Sequence, residues 1–134
     1  MSSQSGLDMI SNCDSAREND IFARDPNFKE GIANFTVSVG REAILSCIVQ
    51  DLGAYKVAWL RVDTQTILTI ANHVITKNHR IGVSHSDHRT WFLHIREVRE
   101  SDRGWYMCQI NTDPMKSQTG FLDVVVCEFP IEIN

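Results

Sequence analysis

Five histidines are the residues of this chain best suited to metal or proton chemistry. His85 and His88 are three apart, with His79 and His94 nearby. Zinc requires nitrogen and sulfur ligands that converge on one point, commonly with closely spaced cysteines. Histidines on strands and loops at this spacing do not converge, and no cysteine pair joins them, so no metal and no cofactor is expected. Hydrolytic chemistry would need a nucleophile, a base and an orienting acid. His94 beside Ser84 or Asp87 offers the residue types. No glycine-flanked serine turn, phosphate-binding glycine loop or spaced carboxylate pair accompanies them. The chain reads as no enzyme. Asn34-Phe35-Thr36 is a site of another kind, an acceptor triplet for an N-linked glycan at the start of the first alternating segment.

The remaining candidate chemistry lies in sulfur. Cys47 and Cys108 bracket Trp59, and Cys108 closes the run Asp102-Arg103-Gly104-Trp105-Tyr106-Met107-Cys108. Cysteine, tryptophan twelve residues later, and tyrosine two residues before a second cysteine are the signature of an immunoglobulin sandwich. In that fold Cys47 and Cys108 bridge two packed sheets, and the Trp59 indole lies against the bridge. Tyr106 bonds back to the corner before its strand. A bridge closing about sixty residues stabilises by roughly 4 kcal/mol. Arg80 and Asp102 are expected to pair across the bottom of the sandwich, and Gly104 suits the tight corner. Cys13 and Cys127 fall outside the core and read as tail thiols.

These residues need strands to hold them. Alternation begins at Phe35 to Val39, halts at Gly40-Arg41-Glu42, and resumes with Ala43, Leu45, Cys47 and Val49. Val57, Trp59 and Arg61 alternate next, followed by a turn at Asp63-Thr64-Gln65, a strand over Ile67 to Ile70 and a short edge strand within 71–76. A strand at Arg80 to Ser84 precedes inward-facing Trp91, Leu93 and Ile95. A brief helical turn is expected near Val98 to Ser101, then Tyr106, Cys108 and Ile110 inward, a hairpin at Thr112 to Lys116, and a last strand from Gln118 to Val126. The fold class is therefore all-β, an immunoglobulin-like sandwich of variable or I-type. The extra pair of strands after the tryptophan strand favours variable-type. The expected organisation is a disordered or loosely attached tail over 1–31, the domain over 32–127 and a C-terminal tail over 128–134.

Composition narrows the function. With 134 residues, 43% of them hydrophobic, and a net charge of −4, the chain has a core for one domain and no concentrated basic field for nucleic acid. No apolar run of eighteen residues exists, so direct membrane insertion is not expected. A disulfide-stapled domain belongs in an oxidising compartment, yet the first thirty residues hold no apolar leader segment. A removed or replaced leader, an atypical short product, or a reduced cytosolic domain would each reconcile the two.

The outward face of the tryptophan sheet carries the binding expectation. By parity it shows Ala58 and Leu60 on one strand and Gln109 and Asn111 on another. The neighbouring edge adds Leu68, Ile70, Asn72 and Val74, with one residue of play in its register, and the hairpin adds Met115, Lys116 and Gln118. Aliphatic side chains grouped on an exposed sheet with an uncharged polar rim point to a protein interface.

The segment from Val57 to Ile70 resembles the first immunoglobulin domain of the insect Dpr-interacting proteins, neuronal cell-surface receptors related to lachesin and the IgLON proteins. Asn78-His79-Arg80-Ile81, the run from Trp105 to Ser117, and Leu122 to Val126 carry the same likeness, which covers about residues 33 to 126. The resemblance implies binding of Dpr-family immunoglobulin receptors on apposing neurons, with homophilic pairing in some members, at the extracellular surface. It implies contact through Leu60, Leu68, Ile70, Asn72, Val74, Gln109, Asn111 and Met115. Family members carry a leader, three immunoglobulin domains and a membrane attachment. This chain is expected to stop after the first domain, as a recognition module or as a soluble secreted decoy or short isoform.

Overall fold

The computed structural model describes residues 26–32 and 34–126. Cys13, Cys127 and most of both expected tails lie outside the described residues. Ten strands follow one another: β1 (Asn27–Phe28), β2 (Phe35–Ser38), β3 (Ala43–Gln50), β4 (Val57–Arg61), β5 (Thr66–Ile70), β6 (His73–Val74), β7 (Ile81–Ser86), β8 (Thr90–Ile95), β9 (Gly104–Ile110) and β10 (Lys116–Val125). They form two layers, one in the order β1-β3-β8-β7 and the other β2-β10-β9-β4-β5-β6.

Period-two patterning builds both layers. In β3, Ala43, Leu45, Cys47 and Val49 point inward while their neighbours point out, and β8, β9 and β10 repeat the scheme. Leu45, Leu93 and Ile95 from one layer meet Trp59, Ile110, Leu122 and Val124 from the other, all inaccessible to water. A disulfide joins Cys47 on β3 to Cys108 on β9 across this core, and Trp59 lies opposite Cys108 in the β4–β9 ladder. The parallel β10–β2 ladder, with Leu122 opposite Phe35, adds β2 to the six-stranded layer.

A polar knot closes one end of the sandwich. Arg80 Nη1 donates to Asp102 Oδ2 at 2.7 Å and Nη2 to Oδ1 at 3.0 Å. The Arg99 N–H donates to Oδ2 at 2.8 Å, and the Tyr106 hydroxyl donates to the Asp102 carbonyl at 2.6 Å. Burial pushes the Tyr106 phenol up to about 12. The two hydrogen bonds to Asp102 are the main cause of a raised Arg80 pKa. At Gly104 φ is +152°, and a Cβ there would meet Arg61 Nη2 at 3.2 Å, so a side chain would push on the guanidinium that braces this corner.

Several boundaries differ from the sequence reading, among them the strand expected at Arg80 to Ser84, which runs Ile81–Ser86. The sandwich begins before residue 32: Asn27 pairs with Gln50 and Phe28 with Val49, while Phe28 packs on the core. Two paired residues are too few to show alternation. The helical turn is a single 3-10 turn at Glu100–Asp102, set by Asp102 bonding back to Arg99. The last strand starts at Lys116, opposite Ile110, because the five-residue connection lies one position earlier, over 111–115, and the ladder begins immediately after it.

Candidate protein-binding face

Side chains directly opposite one another in neighbouring strands share a face. Ala58 lies opposite Gln109 and Ile70, and Leu60 lies opposite Met107 and Ile67. These six therefore form one patch on the outer side of the six-stranded layer. Leu60 borders two shallow hollows. One, of about 200 Å³, is lined by Lys56, Ala58, Leu60, Ile67, Ile70, Gln109 and Asn111. The other, of about 310 Å³, is lined by Leu60, Arg61, Val62, Gln65 and Met107.

Local hydrogen bonds fix the rim. Asn111 Oδ1 accepts from the Lys56 N–H at 2.8 Å, which ties the ends of β4 and β9 together. Gln109 Nε2 donates to the thioether of Met115, itself 59% exposed. Gln109, held to Met115, and Asn111, held to Lys56, thus border the apolar centre with two fixed amide groups.

Two of the residues read from sequence are placed elsewhere. Between Trp59 and Leu60 the partner on β5 jumps from Thr69 to Ile67, a bulge that leaves Leu68 without an opposite residue. Leu68 and Thr69 consequently both turn inward. Leu68 is 6% exposed and belongs to the core, whereas Ile67 is 44% exposed and occupies the outer face. Val74 is opposite Thr69, on the inner side of the layer, and overhangs the edge of the sandwich. His73, opposite Ile70, takes the outer position, and exposed Asn72 sits at the tip of the hairpin where Ala71 has φ +53°. Period-two counting from Ile70 assigned Leu68 and Val74 to the outer face, and one bulge plus one tight turn break that count.

His94, His85 and His88 are used on other surfaces. His94 Nε2 lies 2.8 Å from Ser84 Oγ, and its Nδ1 lies 2.9 Å from Glu42 Oε2. This repeats the acid–imidazole–hydroxyl order of a hydrolase, but Ser84 sits inside a regular strand and not on a sharp elbow. Glu42 is 43% exposed at its side chain. The three act as a surface tie from the residue before β3 across β8 to β7. Glu42 was missed from sequence, because it reaches His94 only through the register that sets Ile44 opposite His94, 52 positions from Glu42. His85 stacks on Trp91 at 4.5 Å and His88 approaches it edge-on at 5.7 Å, so both cover an indole. Among the described residues no group of three or more His, Cys, Asp or Glu could hold a metal ion.

The profile of the immunoglobulin I-set domain matches residues 26–126. The chain belongs to the immunoglobulin I-set family. Over 97 residues this I-set chain is 32% identical to the limbic system-associated membrane protein of Rattus norvegicus, covering 71% of the chain and 28% of that protein. It spans about a quarter of the length of the curated relatives it matches. In the structure described as Dpr1 IG1 bound to DIP-eta IG1, one chain is 70% identical with a TM-score of 0.75, covering 75% of this chain and 96% of that one. The RIG-5 IG1 homodimer is 34% identical with a TM-score of 0.71, covering 77% of this chain and all of that one. The I-set domain thus matches the first immunoglobulin domain of a Dpr-interacting protein in sequence and in fold. No helix among its described residues is long and apolar enough to cross a membrane.

Proposed function

We propose that this chain is a non-catalytic recognition domain that docks a Dpr-family immunoglobulin domain through the outer face of its six-stranded sheet. The observation that carries the reading is the contiguous patch of Ala58, Leu60, Ile67 and Ile70, open to solvent and bordered by Gln109, Asn111 and Met115. Buried against a partner, each of the larger aliphatics contributes about 1.5–3 kcal/mol. The polar edge discriminates among related partners, because a mismatched partner leaves its groups unpaired. Similarity to a chain of the Dpr1–DIP-eta complex supports a Dpr-type partner. The same reading places the chain outside the cell, at the neuronal surface, in synaptic partner choice and axon guidance, as a glycoprotein with an oxidised disulfide.

The test is binding of the oxidised chain to a panel of immobilised Dpr first domains. The expected result is saturable binding to at least one, lost in Ile70→Asp. No binding to any member, or equal binding by Ile70→Asp, overturns the proposal. Likeness to the RIG-5 IG1 homodimer favours a second mode, self-association through the same face. Sedimentation of wild type against Ile70→Asp tests it: a concentration-dependent dimer lost on substitution supports the mode, and a monomer throughout excludes it.

A further inference from the structure

The outer face continues one same-face step along β9 from Met107, the residue opposite Leu60, to a second apolar pair. Trp105, 48% exposed, lies opposite Phe121, and the two rings meet edge to face at 5.1 Å. Phe35 faces the core, so Asn34 and Thr36, one position to either side, share the outer face with this pair. Asn34 is exposed, and its Oδ1 accepts from the Phe121 N–H at 3.1 Å. That bond holds the side chain of an Asn-Phe-Thr acceptor beside the Phe121–Trp105 pair, with Nδ2 left for substitution.

We infer that Asn34 carries an N-linked glycan whose first sugar seats on the Trp105–Phe121 pair. The apolar C–H face of a pyranose complements the electron-rich face of an aromatic ring. The glycan then caps this end of the sheet and leaves the Leu60–Ile67–Ile70 end for protein docking. The inference rests on the proposed function only for passage through the secretory pathway.

The chain supplies its own probe. Trp59 and Trp91 are 0% and 4% exposed, so a small quencher in water reaches Trp105. The experiment secretes the full chain from insect cells as wild type, Thr36→Ser, which keeps the acceptor, and Thr36→Val, which removes it. Folded wild type treated with a glycan-cleaving amidase gives a fourth sample free of any folding difference. Peptide mass mapping reads occupancy of Asn34, and acrylamide quenching reads Trp105. The expected result is an occupied Asn34, with quenching reduced about twofold in the two glycosylated samples relative to the two bare ones. An unoccupied Asn34, or equal quenching in all four, overturns the inference. Dpr-domain binding, measured in the same samples, is expected to agree within about twofold; a tenfold difference between glycosylated and bare forms overturns the division of the face. Absence of binding in all four sinks the docking proposal alone and leaves the glycan seat standing.

Discussion

Replacing Asp102 by asparagine removes one charge from a pair that water hardly reaches. Both side chains are 7% exposed, and Arg80 holds the carboxylate with two bonds. Asparagine keeps the shape and leaves the guanidinium buried without a counter-charge. Breaking a buried pair from one side costs about 3–5 kcal/mol, against about 0–1 for an exposed pair. A domain has only about 5–15 kcal/mol in total, so the loss is visible as a lower midpoint in urea, followed by tryptophan fluorescence with the disulfide intact. The double variant Arg80→Met/Asp102→Leu removes both charges and is expected to recover most of that loss.

The same pair has a pH signature. Burial by itself raises the Asp102 carboxyl, but the Arg80 hydrogen bonds, the Arg99 N–H and the charges of Arg80 and Arg61 outweigh it, and the net shift is downward. A folded pKa below the unfolded one means the stabilisation is complete above the ordinary value of 3.8 and is lost as pH falls through the folded value. Wild type is expected to lose stability below about pH 4, with a flatter profile in Asp102→Asn. A loss of less than about 1 kcal/mol, with parallel pH profiles, would refute the assignment of a buried, bridging carboxylate.

Other outcomes follow from the register and the core. Ile67→Asp is expected to abolish partner binding while changing stability by less than about 0.5 kcal/mol, whereas Leu68→Ala costs about 2–5 kcal/mol; urea melts and binding isotherms on the two variants separate them. Tyr106→Phe leaves the Asp102 carbonyl unsatisfied, at about 1–3 kcal/mol. Because the folded phenol titrates at about 12, wild type is also expected to lose stability as pH rises from 10 to 12, a slope that the Phe variant reduces. Removing both cysteines, Cys47→Ala/Cys108→Ala, reopens a loop with a sequence separation of 61. Differential scanning calorimetry is expected to report a loss of roughly 4 kcal/mol.

Much of the architecture was legible because strict alternation and a few large side chains over-determine it. Trp59, Tyr106, Leu93 and Ile95 sit in the core because no other period fits β4, β8 and β9. The candidate face was legible where the ladder is regular, at Leu60 and Gln109, and illegible where it breaks. The bulge at Leu68 inserts one residue into β5 without any glycine or proline to mark it, so Leu68 and Ile67 exchange roles. β1 was missed since pairing of two residues leaves no periodic trace. The Asn34–Phe121 bond joins positions 87 apart, a distance over which local pattern says nothing.

The placement of the described chain's two ends has a mechanical consequence. Asn27 is paired beside Gln50, at one tip of β3, while the Val39 N–H bonds the Val125 carbonyl at the opposite tip, next to Gly40 and Val98. Tension between the first and last described strands therefore runs lengthwise through the sandwich. Pulling in that direction shears the β10–β2 and β1–β3 ladders, so their hydrogen bonds resist together instead of unzipping one at a time. A load of this kind leaves the outer face parallel to the line of force, free to stay engaged while the ends are stretched.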